Sequence, residues 1–122
     1  VVADEPVVLF ALEWCEFSWS IRKLFTRLGV AFRSVDLDSA AMQENDFGGS
    51  VRNALARRVG TRTIPQVFVG GELVGGCSET FDAYADGSLV ARCEKHGIDY
   101  RPDPGLDARS LLPSWVHSRA SA

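Results

Sequence analysis

The stretch Glu13-Trp14-Cys15-Glu16-Phe17-Ser18 holds the residues best suited to do chemistry in this chain. A cysteine thiolate is a nucleophile and a redox centre, and its reactivity depends on exposure and on how far its environment favours the anion. Cys15 lies where an apolar run, Val7 to Leu12, gives way to apolar residues at helical spacing. That places it at or just before a helix N-terminus, where unpaired backbone N–H groups and the positive end of the macrodipole favour an anion. Cysteine is also among the most buried residue types, so a structural core thiol is the competing reading. A strand-to-helix loop beside a tryptophan favours the reactive one.

The elements that must hold this thiol follow from the pattern around it. Val7 to Leu12 is short, rich in β-branched and aromatic residues and preceded by Pro6, as in a buried strand. Phe17, Ile21, Leu24, Phe25 and Leu28 recur at helical spacing and stop at Gly29, a C-cap. Ala31 to Leu37 reads as a second strand, which makes a right-handed βαβ unit with parallel strands. Ala40 to Asp46 suits a short helical turn. Ser50 then suits the N-cap of a helix through Val51, Leu55 and Val59 to Gly60, whose outer face carries Arg52, Arg57 and Arg58. Arg57 and Arg58 are expected to be merely solvated.

Gln66 to Val69, the Gly70-Gly71 pair and Glu72 to Val74 form a hairpin pattern. Pro65 before it is either a plain strand-start proline or a cis-proline that holds a backbone edge open toward Cys15. Gly75-Gly76 bends the chain into a helix near Cys77, with Ser78 as cap and Phe81 and Tyr84 facing inward; a further helix spans Ser88 to His96. After Arg101, prolines break the pattern. Only Leu106 to Leu112 suits a helical turn, in a tail that is extended or partly ordered, with Trp115 as one anchoring contact.

Composition bounds the rest. A chain of 122 residues, 46% hydrophobic and 24% charged, is one domain large enough for its own core. A net charge of -3 argues against nucleic acid or an anionic membrane surface as partner. Neither a membrane span nor a signal peptide is expected. Cys15, Cys77 and Cys93 are odd in number and widely spaced, unlike a disulfide framework or a zinc site, so the cytoplasm or another reducing compartment is expected.

The order of strand, Trp14-Cys15-Glu16-Phe17-Ser18, helix, strand, helix, Arg62-Thr63-Ile64-Pro65, hairpin, Gly75-Gly76-Cys77-Ser78 and helix resembles a glutaredoxin. The likeness covers roughly residues 7 to 97. It implies an α/β, thioredoxin-like three-layer α/β/α fold on a four-stranded mixed sheet; residues 1–100 are expected as the domain, and 101–122, outside the likeness, as a partly ordered C-terminal extension. It also implies a glutathione-dependent oxidoreductase in which Cys15 reduces glutathione mixed disulfides by a monothiol route. Glutathione would be the co-substrate, glutathionylated proteins or small mixed disulfides the partners, and the protein a monomer unless bridged by a cluster. Residue by residue, Thr63, Ile64 and Pro65 would meet the cysteinyl part of glutathione. Gly76, Cys77 and Ser78 would hold the γ-glutamyl carboxylate at a helix N-terminus, and Arg52 the glycyl carboxylate.

The departures from the family pattern carry their own expectations. Leu12 stands where many members have a lysine, and Glu13 and Glu16 disfavour the thiolate, opposed by the helix dipole and Arg62. Ser18 replaces the resolving cysteine of dithiol members, which leaves the route through glutathione. The alternative is a dimer around a [2Fe–2S] cluster ligated by Cys15 and glutathione from each subunit. Glu16 in place of a glycine, and Arg62-Thr63 in place of a Trp-Pro pair, count against it. A redox-inactive binding module ranks third. Cys93 is expected in the core; Trp14 and Trp19 are expected to pack, with Trp14 the better placed to shape access to Cys15. His96 and His117 are assigned no role.

Overall fold

A computed structural model of the chain describes residues 5–13, 15–43, 47–60 and 63–113. Trp14, Arg62, Trp115 and His117, each given a reading above, lie outside the described residues. Four strands, β1 (Val7–Ala11), β2 (Arg33–Asp36), β3 (Gln66–Val69) and β4 (Glu72–Gly75), form one sheet in the order β2-β1-β3-β4. β1 runs parallel to β2, with Phe10 opposite Val35, and antiparallel to β3, with Val8 opposite Phe68. The helices are α1 (Glu16–Arg27), α2 (Ala40–Gln43), α3 (Phe47–Val59), α4 (Cys77–Asp86) and α5 (Ser88–Lys95).

Every residue of β1 is buried because it is the inner strand of a sheet covered on both faces. Val7, Leu9 and Ala11, with Val67 and Val69, meet Ile21, Leu24 and Phe25 of α1 and Phe81 of α4. Val8, Phe10 and Phe68 form a second core with Val35, Leu37 and Leu55, onto which Val51 and Val59 of α3 pack. The result is the expected three-layer α/β/α architecture. Among the described residues no helix is long and apolar enough to cross a membrane.

Several boundaries differ from the pattern reading. Leu12 does not extend β1; its amide donates to the Ser18 hydroxyl, which turns the chain out of the sheet. Ser50 is not an N-cap but lies inside α3, whose first turn includes Gly48 and Gly49. Glycine costs a helix about 1 kcal/mol relative to alanine, and packing of α3 onto the second core and α2 outweighs that preference. In the hairpin, Gly70 (φ 60°) and Gly71 (φ 80°) both lie in the left-handed region, as a two-residue turn requires. A Cβ on Gly70 would come within 2.3 Å of the His96 ring. His96 therefore packs under the turn, where Glu72 meets Arg92, Lys95 and His96 and ties β4 to α5.

Past α5 the chain returns along α1. The Arg101 amide donates to the Leu28 carbonyl at 2.6 Å, and Arg27 pairs with Asp103 at 2.9 Å. A 3₁₀ turn, Ala108–Leu111, follows, and Leu106, Ala108, Leu111 and Leu112 pack against the first core.

Candidate active site

Cys15 is the N-cap residue of α1, in extended conformation (φ -91°, ψ 120°) and half-exposed, whereas Cys77 and Cys93 are buried. The loop beneath it is braced from three sides. The Cys15 amide donates to the Leu12 carbonyl at 3.4 Å, the Glu13 amide to Asp38 Oδ1 at 2.8 Å, and the Trp19 indole N–H to the Glu13 carbonyl. Asp38, which follows β2, reads in the sequence only as part of the capping stretch Asp36-Leu37-Asp38-Ser39; its brace on Glu13, 25 residues away, is not visible there. Glu16 is exposed and Phe17 packs against the first core. Ser18 is 0% exposed, its Oγ accepting the Leu12 amide at 3.3 Å. The serine hydroxyl therefore ties the end of the loop to the first turn of α1. Trp19 departs from its expected packed role: it stays 49% exposed, with the Arg22 guanidinium 4.6 Å over its ring.

The opposite wall comes from the β3 approach and the α4 N-terminus. The Ile64–Pro65 peptide is cis, which decides between the two readings of Pro65. Ile64 packs against the second core, and Thr63 is exposed just before it. Gln66, buried to 3%, donates from Nε2 to both the carbonyl and the Oγ1 of Thr63, each at 3.0 Å. That tether was also missed in the sequence, where Gln66 reads as a strand residue. A Cβ on Gly76 would sit 3.3 Å from the Pro65 carbonyl, so this glycine lets the cis-proline loop approach the start of α4.

Gly76, not Ser78, is the N-cap of α4. Its amide donates to Glu79 Oε1 at 3.3 Å, and its carbonyl accepts from the Thr80 amide and hydroxyl. Glycine suits this place because the Pro65 carbonyl leaves little room for a side chain, and Glu79, three residues on, supplies the half of a capping box that needs no N-cap side chain, by accepting from the Gly76 amide. Among the described residues the Cys77 and Ser78 amides have no acceptor, as expected for the first turn of a helix. The Cys77 thiol is pushed up to about 12, first by burial and then by the negative charge of Cys15 and Glu79. Cys77 also shares the first core with Ile21, Leu24 and Phe25, so the start of α4 packs against α1.

On the far side, Arg52 of α3 is half-buried, and its buried Nε has no acceptor among the described residues. Arg58 is not merely solvated: its guanidinium lies 5.1 Å over the Phe68 ring and donates to the Gly71 carbonyl at 3.4 Å. Arg57 is exposed, as expected.

A half-exposed thiol at a helix N-terminus, a cis-proline and a second helix N-terminus on a four-stranded mixed sheet define a thiol–disulfide oxidoreductase of thioredoxin-like fold. The comparisons narrow the class. A family model described as Glutaredoxin matches residues 7–74. Rice "Glutaredoxin-C6" is 39% identical over 89 residues, 73% of this chain and 75% of that protein. Rice "Monothiol glutaredoxin-S10" is 35% identical over 98 residues, 80% of this chain but 57% of that protein's length. The crystal structure of a buckwheat glutaredoxin–glutathione complex superposes with a TM-score of 0.71 at 35% identity, covering 79% of this chain and 83% of the other. The chain belongs to the glutaredoxin family, a family of glutathione-dependent oxidoreductases with glutathione as co-substrate.

Proposed function

We propose that this protein reduces glutathione mixed disulfides by a monothiol cycle through Cys15. One observation carries the reading: among the three cysteines only Cys15 reaches the surface, while position 18 holds a buried, hydrogen-bonded serine. The Cys15 thiolate attacks the glutathione sulfur of the mixed disulfide. The Cys15–glutathione disulfide forms as the substrate sulfur leaves and takes up a proton. A second glutathione thiolate then attacks the glutathione sulfur of that adduct, forming oxidised glutathione and restoring the Cys15 thiolate.

The surroundings supply matching groups for each part of glutathione. The backbone of Thr63 and Ile64 beside Pro65 pairs with the cysteinyl segment, on an edge held by Gln66. The free amides of Cys77 and Ser78 receive the γ-glutamyl carboxylate, with Gly76 leaving room for it. Arg52, with an unpaired N–H, receives the glycyl carboxylate. The cycle needs a supply of reduced glutathione, as in the cytoplasm or another reducing compartment.

The test is intact mass and visible absorption after exposure to oxidised glutathione, with turnover of a small mixed disulfide measured alongside. The expected result is one glutathione per chain, absent in Cys15→Ser together with all turnover. A Cys15→Ser variant with parental turnover overturns the assignment. A brown dimer that retains glutathione and labile iron points to the [2Fe–2S] alternative.

A further inference from the structure

Trp19 is an unusual residue to leave half in water. Among the described residues only Trp19 and Leu73 are large hydrophobic side chains with substantial exposure. The indole is nevertheless held firmly, by its N–H on the Glu13 carbonyl and by the Arg22 guanidinium against its face. Arg22 is in turn fixed by its ion pair with Asp36. A rigid, exposed aromatic loses little conformational freedom on contact, which is what makes tryptophan a frequent anchor in protein interfaces.

This ring forms one wall of a cleft whose other wall is the returning tail. Two adjoining hollows, of about 250 and about 330 Å³, share Trp19, Lys23 and Leu111. The cleft opens at Glu16, next to Cys15, and continues down α1 to Arg27. Its charge is distinctive. The chain as a whole is acidic, with a net charge of -3, yet α1 presents Arg22, Lys23 and Arg27 here against a single acid, Glu16. Arg22 and Arg27 already face Asp36 and Asp103, whereas exposed Lys23 has no ion-pair partner among the described residues.

We propose that the cleft between α1 and the 3₁₀ turn docks the polypeptide next to the glutathionylated cysteine of a protein substrate, an acidic segment with an apolar side chain. The inference rests on the monothiol reading of Cys15 and adds a substrate class to it. The apolar side chain lies against Trp19 and Leu111, and a carboxylate meets Lys23. Eight residues of helix separate Cys15 from Lys23, about 12 Å at ~1.5 Å per residue. An extended peptide rises ~3.3 Å per residue, so a carboxylate about four residues from the substrate cysteine reaches Lys23.

The experiment compares three substrates on the full chain. These are a small glutathione mixed disulfide, a glutathionylated peptide with leucine and aspartate in the three to five residues beside its cysteine, and the same peptide with lysine for aspartate. The wild-type protein is expected to prefer the aspartate peptide. In Lys23→Glu its kcat/KM falls about fivefold, as for a surface charge pair, the lysine peptide gains, and the small disulfide is unchanged. Leu111→Ala lowers both peptides and spares the small disulfide. Equal effects of Lys23→Glu on all three substrates, or none on the peptides, overturn the docking site while leaving the Cys15 reading intact. Failure of the wild type to turn over the small disulfide overturns the Cys15 reading itself. If Trp115→Ala raises kcat/KM for the aspartate peptide, the chain's own C-terminal segment occupies the cleft, and the proposal is overturned.

Discussion

The monothiol reading requires Cys77, electrostatically coupled to Cys15, to stay out of the reaction, and this can be tested by alkylation. In Cys15→Ser the remaining thiols are Cys77 and Cys93, both buried and both raised by that burial. With Cys15 present the Cys77 thiol lies at about 12; Cys15→Ser removes the smaller contribution of that charge and leaves burial, the larger cause, in place. At pH 7 a thiol at ~12 is ionised to about one part in 10⁵, whereas an ordinary cysteine near ~8.5 is ionised to about 3%. The thiolate is the reacting species, so with Cys15 present the ratio sets a rate roughly 10³ below that of a free cysteine, and in Cys15→Ser burial still holds the rate well below it, before any steric shielding is counted. The assay follows intact mass during iodoacetamide treatment at pH 7, with free glutathione as the internal reference. In the wild type a single adduct on Cys15 is expected, and in folded Cys15→Ser essentially none over the same time. Alkylation of Cys77 within tenfold of the reference would refute the argument. Cys77 would then have enough thiolate to attack a Cys15–glutathione disulfide, and the cycle would no longer depend on a second glutathione.

Two further outcomes follow from the same geometry. Replacing Arg52 with alanine removes a charged donor with an N–H already buried and unpaired. A charge-assisted hydrogen bond is worth about 1.5–3 kcal/mol, and the half-exposed position of Arg52 favours the lower end, so KM for glutathione is expected to rise about tenfold with kcat unchanged. Steady-state kinetics at varied glutathione checks this, and an unchanged KM removes Arg52 from the site. The second outcome concerns pH. Because burial raises Cys77 and Cys93 in the folded state, the fold favours their neutral form. That stabilisation is complete below the unfolded value and is lost as pH rises; for Cys77, between ~8.5 and about 12, the loss is ~1.4 kcal/mol per pH unit. Urea midpoints are therefore expected to fall from pH 8 to pH 10, and to fall less in Cys77→Ala; a slope unaltered by that change would contradict the assignment.

The alternation and spacing of apolar residues were enough to place β1, α1, β2 and the hairpin, because each must present a continuous face to a core whichever fold contains it. Ser50 was misread because capping residues look alike in sequence whether they start a helix or lie within one. The start of α3 depended on packing that Gly48 and Gly49 do not announce. Ser78 was displaced as cap for a similar reason: the Gly76 amide pairs with Glu79, a residue to which the sequence pattern assigned no role.

For the site, sequence alone singled out Cys15 as the candidate nucleophile and determined its setting, since a cysteine between a buried strand and an amphipathic helix has its backbone environment fixed by local periodicity. Sequence also identified Pro65 and the Gly75-Gly76 pair as the points where the backbone changes direction. Only the tertiary structure decided which distant groups converge on that thiol. The cis form of Ile64–Pro65, the clasp of Gln66 on Thr63, the brace from Asp38 to Glu13 and the coupling of Cys77 to Cys15 all join residues from different elements. The cleft beside Trp19 likewise arises only because the tail packs back along α1. Local pattern specifies which side of an element is apolar, but the meeting of two elements is set by the energy of the whole packed core, which no single stretch of sequence encodes.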